Sequence, residues 1–364
     1  MNGKIRLWFV GTATAGGLAL VCLLLAWCTS AGMASAQPVR FSAGLDVRAD
    51  SVSASSEFTI CTATGHQGNP AIHGDIVVWR DNRGTDGDIY GYDLSTGQEF
   101  TICTAAGWQQ FPTIHGDVVV WEDRTDIHNS DIYGYDLGTG QAFSVCTATG
   151  DQFGPAVYGD IVVWEDDRGA DRDIYGYDLS AGQEFTVCTA SGWQGHPAVY
   201  GNIVVWTDFR DPYDGDIYGY DLSTGQEFTI CTATDDQLWP AIHGDIVVWE
   251  DDRGADYDIY GYDLGTGQEF AVCTAADWQG DPTIYGDVVA WEDHRDGGEH
   301  IYAYDLAVGQ AFLVCSSELD EEDAPAFNGS IVIWTDGRGS DMDLYGRRIR
   351  FHLYLPAVMR NLAA

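Results

Sequence analysis

Seven tryptophans, Trp79, Trp121, Trp164, Trp206, Trp249, Trp291 and Trp334, recur at alternating intervals of 42 and 43 residues. A fixed period of this length confines a chain to repeat architectures, in which one supersecondary unit buries its apolar surface only against its neighbours. The fifth copy, FTICTATDDQLWPAIHGDIVVWEDDRGADYDIYGYDLGTGQ from Phe228 to Gln268, is representative. It has no helical period. It divides into four short β-rich runs, FTICT, PAI, DIVVWED and DIYGYDL, each bounded by Gly, Asp or Ser. Gly74-Asp75, Gly116-Asp117, Gly159-Asp160, Gly201-Asn202, Gly244-Asp245 and Gly286-Asp287 separate the second run from the third, as a two-residue hairpin turn requires.

The run Ile-Val-Val-Trp does not alternate with polar residues, so it reads as a strand buried on both faces. Such burial arises when a sheet is held between two like sheets in a ring. Four strands and a period near 42 residues therefore predict an all-β chain: a seven-bladed β-propeller of four-stranded antiparallel blades over residues 57–349. The chain ends complement one another. Phe58 to Thr62 matches the FTICT run with no strands before it, and the last copy ends at DLYGRRI with no FTICT run after it. Phe58 to Thr62 is thus predicted to close the seventh blade as its outer strand, removing exposed edges. The run Phe351 to Leu355, in a C-terminal tail of residues 350–364, competes for the same slot.

Residues 1–36 read as a secretory signal followed by a linker over 37–56. Lys4 and Arg6 precede an apolar stretch from Leu7 to Trp27, and Ala34-Ser35-Ala36 offers the small residues of a cleavage site before Gln37. An uncleaved anchor is the alternative, since the stretch nearly suffices to span a bilayer. A lipid anchor at Cys28 is disfavoured by Trp27 before it. The expected location is secreted, periplasmic or cell-surface, with no membrane insertion after cleavage.

The net charge of −39 excludes nucleic acid as a partner, because phosphate neutralisation needs a basic surface. Beyond the signal no lysine occurs, and every basic residue is an arginine, the cation suited to fixed bidentate pairing with carboxylates. Cys61, Cys103, Cys146, Cys188, Cys231, Cys273 and Cys315 follow the repeat. Equivalent positions in neighbouring blades lie beyond disulfide reach, so these cysteines read as small buried apolar residues.

The block W-x-D-x-R-G-x-D-x-D-I-Y-x-Y-D-L, for example Trp249 to Leu264, resembles the TolB-type propeller repeat, especially the tandem versions on microbial cell-surface proteins. The resemblance covers nearly all of residues 58–349. It departs at the second turn, which reads His-Gly-Asp or Tyr-Gly-Asp in place of Ser-Pro-Asp-Gly, and the N-terminal α/β domain of TolB has no counterpart. It implies the fold strongly and a function weakly.

Three groups of residues could carry chemistry. The W-x-D-x-R units pair Asp81 with Arg83, Asp166 with Arg168, Asp208 with Arg210, Asp251 with Arg253, Asp293 with Arg295 and Asp336 with Arg338. Repeated six times, they read as a structural charge network between blades and not as catalysis. The Asp-x-Asp pairs Asp86 and Asp88, Asp171 and Asp173, Asp214 and Asp216, Asp256 and Asp258, Asp341 and Asp343 could bind calcium, but no complete calcium-loop spacing is present. No metal site and no cofactor is expected otherwise. The third group is the loop entering each blade, with Trp108-Gln109, Trp193-Gln194 and Trp278-Gln279, and with His66-Gln67, Asp151-Gln152 and Asp236-Gln237 at the equivalent places. Alternating antiparallel strands put it on the same face as the D-R-G-x-D turns, where Trp and planar polar groups suit sugar stacking or protein contacts. His73, His115 and His243 alternate with Tyr158, Tyr200 and Tyr285 at one turn position and read as ring-shaped packing residues.

These residues point to a monomeric, non-catalytic binding or scaffold propeller with a protein or glycan ligand on its loop face. The alternatives are a glycosidase or lyase with carboxylates at the channel mouth, and a structural surface-layer component. The intact mass of the exported protein tests the leader: cleavage predicts an N-terminus at Gln37, and a mass including Met1 to Ala36 indicates an anchor.

Overall fold

The computed structural model describes residues 56–126, 129–295, 297–316 and 325–349. The signal, the linker up to residue 55 and the tail from residue 350, with its Phe351 to Leu355 run, lie outside the described residues. Among these residues the chain forms seven four-stranded antiparallel sheets. After β1 (Phe58–Cys61), the first blade runs β2 (Gln67–His73), β3 (Ile76–Asp81), β4 (Asp88–Asp93) and β5 (Gln98–Cys103), each strand bonded to the next. Five further blades repeat this order. First strands of successive blades pack against one another around the whole ring, so they form its inner wall.

The second strands explain the missing polar alternation. Trp79 packs with Ile60, Cys61, Ile333 and Leu344 of the preceding blade. Val78, beside it, packs with Ile114, Val119 and Trp121 of the following blade. Successive side chains leave opposite faces of a strand, and both faces here meet a neighbouring sheet. All seven repeat tryptophans are consequently buried. Gly91, in the third strand, faces Phe100 across the ladder, and a Cβ there would lie 2.4 Å from the phenyl ring. The same glycine–phenylalanine pair recurs as Gly176 with Phe185 and Gly346 with Phe58.

One polar cluster, complete in the first blade, ties a blade to the one before. Trp79 Nε1 donates to Asp81 Oδ2 at 2.9 Å, and Arg83 grips the same carboxylate through its backbone N (2.8 Å), Nε (2.9 Å) and Nη2 (2.7 Å). Arg83 also reaches Glu99 in β5 at 2.7 Å, lies 4.1 Å from the Tyr90 ring centroid, and points Nη2 at the Cys61 sulfur of the preceding blade, 3.3 Å away. Asp166–Arg168, Asp208–Arg210 and Asp251–Arg253 repeat the arrangement, and Asp293–Arg295 and Asp336–Arg338 keep its pairing. The expected network is therefore present. β3 ends at Asp81, so Arg83 folds back from the turn, and of the six paired arginines only Arg210 lies on a strand (Ile203–Asp211). In the second blade the arginine has moved one place, and Arg124 pairs with Glu122.

Burial would raise the Asp81 carboxyl, yet the bonds from Arg83 and Trp79 outweigh it and hold the group below the usual carboxylate range. Burial pushes the Cys61, Cys188 and Cys231 thiols up to about 12 and Cys146 to about 11, so they stay protonated and unreactive at neutral pH. All seven repeat cysteines are free thiols.

The seventh blade consists of Ala326–Phe327, Ile331–Asp336, Asp343–Arg348 and β1, which pairs antiparallel with Asp343–Arg348 through Phe58 opposite Gly346. The closing strand is thus Phe58–Cys61, one residue shorter than the sequence implied. It brings its own part of the polar cluster, since Glu57 bonds Arg338 at 2.6 Å as Glu99 bonds Arg83. A ring of side chains ends the first strands on the hairpin-turn side. His73, His115, Tyr158, Tyr200, His243 and Tyr285 stand in sequence with centroids 4.3 to 4.5 Å apart. Asn328 completes the circle by donating to Gly74 O at 2.6 Å.

Burying Phe58, Ile60 and Cys61 contributes several kcal/mol at roughly 1.5–3 kcal/mol per large apolar side chain. Deleting residues 37–62 is accordingly expected to lower Tm by about 10 °C or more in differential scanning calorimetry. Deleting residues 350–364 should shift Tm by less than about 2 °C, and the reverse order would assign closure to the tail.

Candidate functional site

The entry loops and the turns between the second and third strands of each blade share one face. Asn82 N donates to His66 O at 2.9 Å, and Gln109 N donates to Gly87 O at 2.7 Å, which stitches each entry loop to turns on either side. The glutamines on this face are internal. Gln109, Gln194 and Gln279 have no accessible surface, as have Gln152 and Gln237. Gln194 Nε2 donates to Gly192 O at 2.9 Å and Gln279 Nε2 to Asp277 O at 2.6 Å, so these side chains brace their own loops. The paired tryptophans divide. Trp108 is 44% exposed over Gly87 of the preceding turn. Trp193 is half-buried, stacked on Phe209 at 4.8 Å, and Trp278 is half-buried edge-on to His294 at 4.9 Å. Each of the latter two folds back over a glycine, Gly195 or Gly280, where a Cβ would come within 2.5 Å of the indole.

Two residues beyond each buried glutamine the first strand kinks. Asn69, Phe111, His196, Trp239 and Asp281 hold φ between 48° and 52°, a left-handed conformation uncommon for bulky residues, and Gly154 adopts it at the equivalent place. Strain of this kind, roughly 1–3 kcal/mol per residue, persists where surrounding groups over-determine it. Here the preceding blade does so. Glu165 Oε1 accepts from His196 N at 2.8 Å, Thr207 Oγ1 from Trp239 N at 3.2 Å, and Glu250 Oε1 from Asp281 N at 2.6 Å. Because the backbone is fixed from behind, the side chain at the kink is free to vary, and it differs in all six of these copies.

The variation gathers aromatic surface at one sector. His196 stacks on Trp239 at 3.5 Å between centroids and meets the edge of Trp193 at 5.2 Å. Arg172 bonds Glu165 at 3.1 Å and lies over the Phe153 ring at 4.3 Å. Trp239 is 46% and Phe111 45% exposed. Burial, with Arg172 adding to it, lowers His196 to about 4, so its imidazole is neutral at physiological pH. Burial raises Glu165, and burial with the nearby Asp281 charge raises Glu250 to about 8. Sequence reading missed Phe111, His196 and Trp239. The available signal was that this one position varies freely inside an otherwise constant repeat.

The Asp-x-Asp pairs have structural work. Asp86, Asp171 and Asp341 accept the backbone N–H of Gly107, Gly192 and Gly65 in the next entry loop, at 2.9, 3.3 and 3.3 Å. Burial raises Asp88, Asp173 and Asp343, and takes Asp216 and Asp258 to about 6. Among the described residues no three His, Cys, Asp or Glu side chains converge on a metal-sized site.

No family model matches the sequence, and no curated protein matches it either. Solved structures match its fold. An oligogalacturonate lyase from Vibrio parahaemolyticus superposes with a TM-score of 0.62 at 11% identity, over 82% of this chain and 97% of that one. The β-propeller domain of the trilobed protease from Pyrococcus furiosus, described as having an open velcro topology, gives 0.61 at 13% identity over 82% and 99%. TolB from Acinetobacter baumannii gives 0.50 at 17% identity over 77% and 78%. The chain is a closed seven-bladed β-propeller, similar in fold to TolB and to the propellers of these enzymes.

Proposed function

We propose that this chain is a non-catalytic, extracytoplasmic propeller that binds a glycan or protein ligand at the loop-side mouth of its channel. The observation that carries the reading is the broken symmetry at the kink: Phe111, His196 and Trp239 replace the small or polar residues of other copies. Four of the large hydrophobic residues exposed among the described ones, Trp108, Phe111, Tyr213 and Trp239, lie on this face. Exposed aromatics held on a rigid backbone supply contact area at little entropic cost, and suit sugar rings or the hot spots of a protein partner. The signal-like leader is what supports an extracytoplasmic location, and no helix among the described residues is long and apolar enough to cross a membrane.

One observation favours an enzyme as the second reading. A carboxyl kept protonated at neutral pH is what a general acid requires, and Glu250 is such a group. Against it, Glu250 is 4% exposed and already holds the Asp281 backbone, so a structural duty accounts for its position.

On a glycan array and by calorimetry with any ligand it identifies, Trp239→Ala with Phe111→Ala should weaken binding by about 30-fold or more, the loss of one hot spot of about 2 kcal/mol. Tm should change little, because both rings are exposed. Glu250→Gln gives a separate test. A folded pKa above the unfolded value means that the native state binds more protons between about pH 4.5 and 8, so this group's contribution falls as pH rises through that window. The Gln variant should therefore flatten the stability profile there and be more stable than the parent at pH 8 and above, by an amount on the order of 1–3 kcal/mol. Loss of a glycoside-cleaving activity in the same variant would establish the enzyme reading instead.

A further inference from the structure

One interface departs from the pattern that fixes the kinks. Glu165, Thr207 and Glu250 each accept the backbone N–H of the kink residue in the following blade. All three stand directly after a repeat tryptophan, as do Glu122, Glu292 and Thr335, and in the first blade that place holds Arg80. Val78 packs on the second blade, and Arg80, two places on, leaves β3 on the same face. It therefore points at the first strand of the second blade, Trp108–His115, whose kink is Phe111.

A guanidinium cannot accept a hydrogen bond. Phe111 keeps the left-handed conformation, φ 51°, with no side-chain acceptor for its N–H among the described residues. Arg80 is unpaired as well. Its Nε is buried without a hydrogen-bond partner, and no carboxylate among the described residues forms an ion pair with it. The arginines of the W-x-D-x-R units, Arg124 and Arg172 all have such a partner. Two donors thus meet where an acceptor stands at three other interfaces.

The surroundings suit an anion in spite of the net charge of −39. The kink of the first blade is Asn69, a neutral residue. Glu122, on the second blade, already accepts from Arg124 at 2.6 Å, Ser130 at 2.7 Å and Gln110 at 3.0 Å. Exposed carboxylates farther off than about 8 Å are largely screened at physiological ionic strength. Trp108 and Phe111, on the strand that Arg80 faces, are 44% and 45% exposed.

We propose that Arg80 and the Phe111 N–H bind the carboxylate of a uronate sugar, whose ring packs on the exposed aromatic surface of the same strand. The proposal rests on the loop-face reading and narrows its ligand to an acidic glycan. The guanidinium fork matches a carboxylate, and the ligand oxygen takes the part toward Phe111 that Glu165 plays toward His196. A uronate carries its carboxylate directly on a ring with apolar C–H faces, so one rigid unit makes both contacts. A peptide C-terminus has to order a flexible chain to do the same.

Titration of the mature chain with methyl β-D-glucuronide, followed by amide NMR, tests the proposal against methyl β-D-glucoside, the same ring without the charge. Saturable binding of the glucuronide at least about tenfold tighter than the glucoside is expected, the low end for a charge-assisted contact. The Phe111 amide resonance should move with the glucuronide. Arg80→Gln should remove the preference. Arg80→Glu installs the residue of four other copies, so it should remove the preference with Tm preserved. Absence of glucuronide binding, a stationary Phe111 amide, a preference retained in either variant, or tighter binding of N-acetyl-phenylalanine would each overturn the proposal. The two sugars and the Phe111 resonance decide the matter even where a variant does not fold. A neutral array ligand that binds Arg80→Gln unaltered and is lost in Trp239→Ala with Phe111→Ala would overturn the carboxylate anchor and leave the loop-face reading standing.

Discussion

No blade of this molecule is complete without the sheet on either side, and the contact that enforces this is the carboxylate at the end of each second strand. Asp81 receives the indole N–H of Trp79 and three bonds from Arg83, and Arg83 extends from there to a sulfur on the neighbouring sheet. A buried carboxylate alone would be costly; paired with a guanidinium and an indole it is satisfied. Removing the arginine leaves an uncompensated charge under the tryptophan, whereas removing both partners leaves a gap between sheets. Tryptophan, aspartate and arginine consequently form one unit, and the unit repeats because the interface repeats.

Most of the fold was legible because a propeller places the same demand on every copy. Tryptophan spacing, the Gly-Asp turns and the unpaired FTIC run were enough to count blades and to name the closing strand. The Asp–Arg pairing was legible as well, although its geometry was not: Arg83 stands two residues on in the sequence, and the turn that carries it back leaves no local signature. The functional residues were harder for the opposite reason. Trp108, Trp193 and Trp278 attract notice because they are tryptophans in loops, yet two of them are half-buried over glycines. Gln194 and Gln279 look like ligand-binding amides and are loop braces, and Gln109 is fully buried. A side chain's burial depends on where a neighbouring blade's turn lies, and no local pattern records that.

The kink at the entrance of each first strand shows how such a lattice accommodates difference. Its backbone is held from the preceding blade by Glu165, Thr207 or Glu250, two glutamates and a threonine that alike offer an oxygen. With the main chain anchored from behind, asparagine, phenylalanine, histidine, tryptophan and aspartate occupy one conformation, φ 48° to 52°. The scaffold thereby separates the residue that must be constant from the residue that is free to specialise. At the other end of the channel the matching position is constrained in the opposite sense, since ring contacts around the collar admit only histidine, tyrosine and one asparagine.

The pairing of Phe58 with Gly346 joins points about 290 residues apart, the longest separation in the molecule's ladder. Every other strand finds its partner within a few tens of residues, so six blades assemble from local hairpins as the chain becomes available. The seventh waits. Closing a loop of that length costs about 5 kcal/mol of chain entropy if nothing inside it is ordered, and far less once six stacked blades have curved the ends toward each other. Contact separation therefore favours local sheets first and the circular seam last. Until that seam forms, the outermost strand of the first segment and the edge of the last lie open to any similar strand, so the period of greatest exposure to partner exchange between chains is the final step of folding.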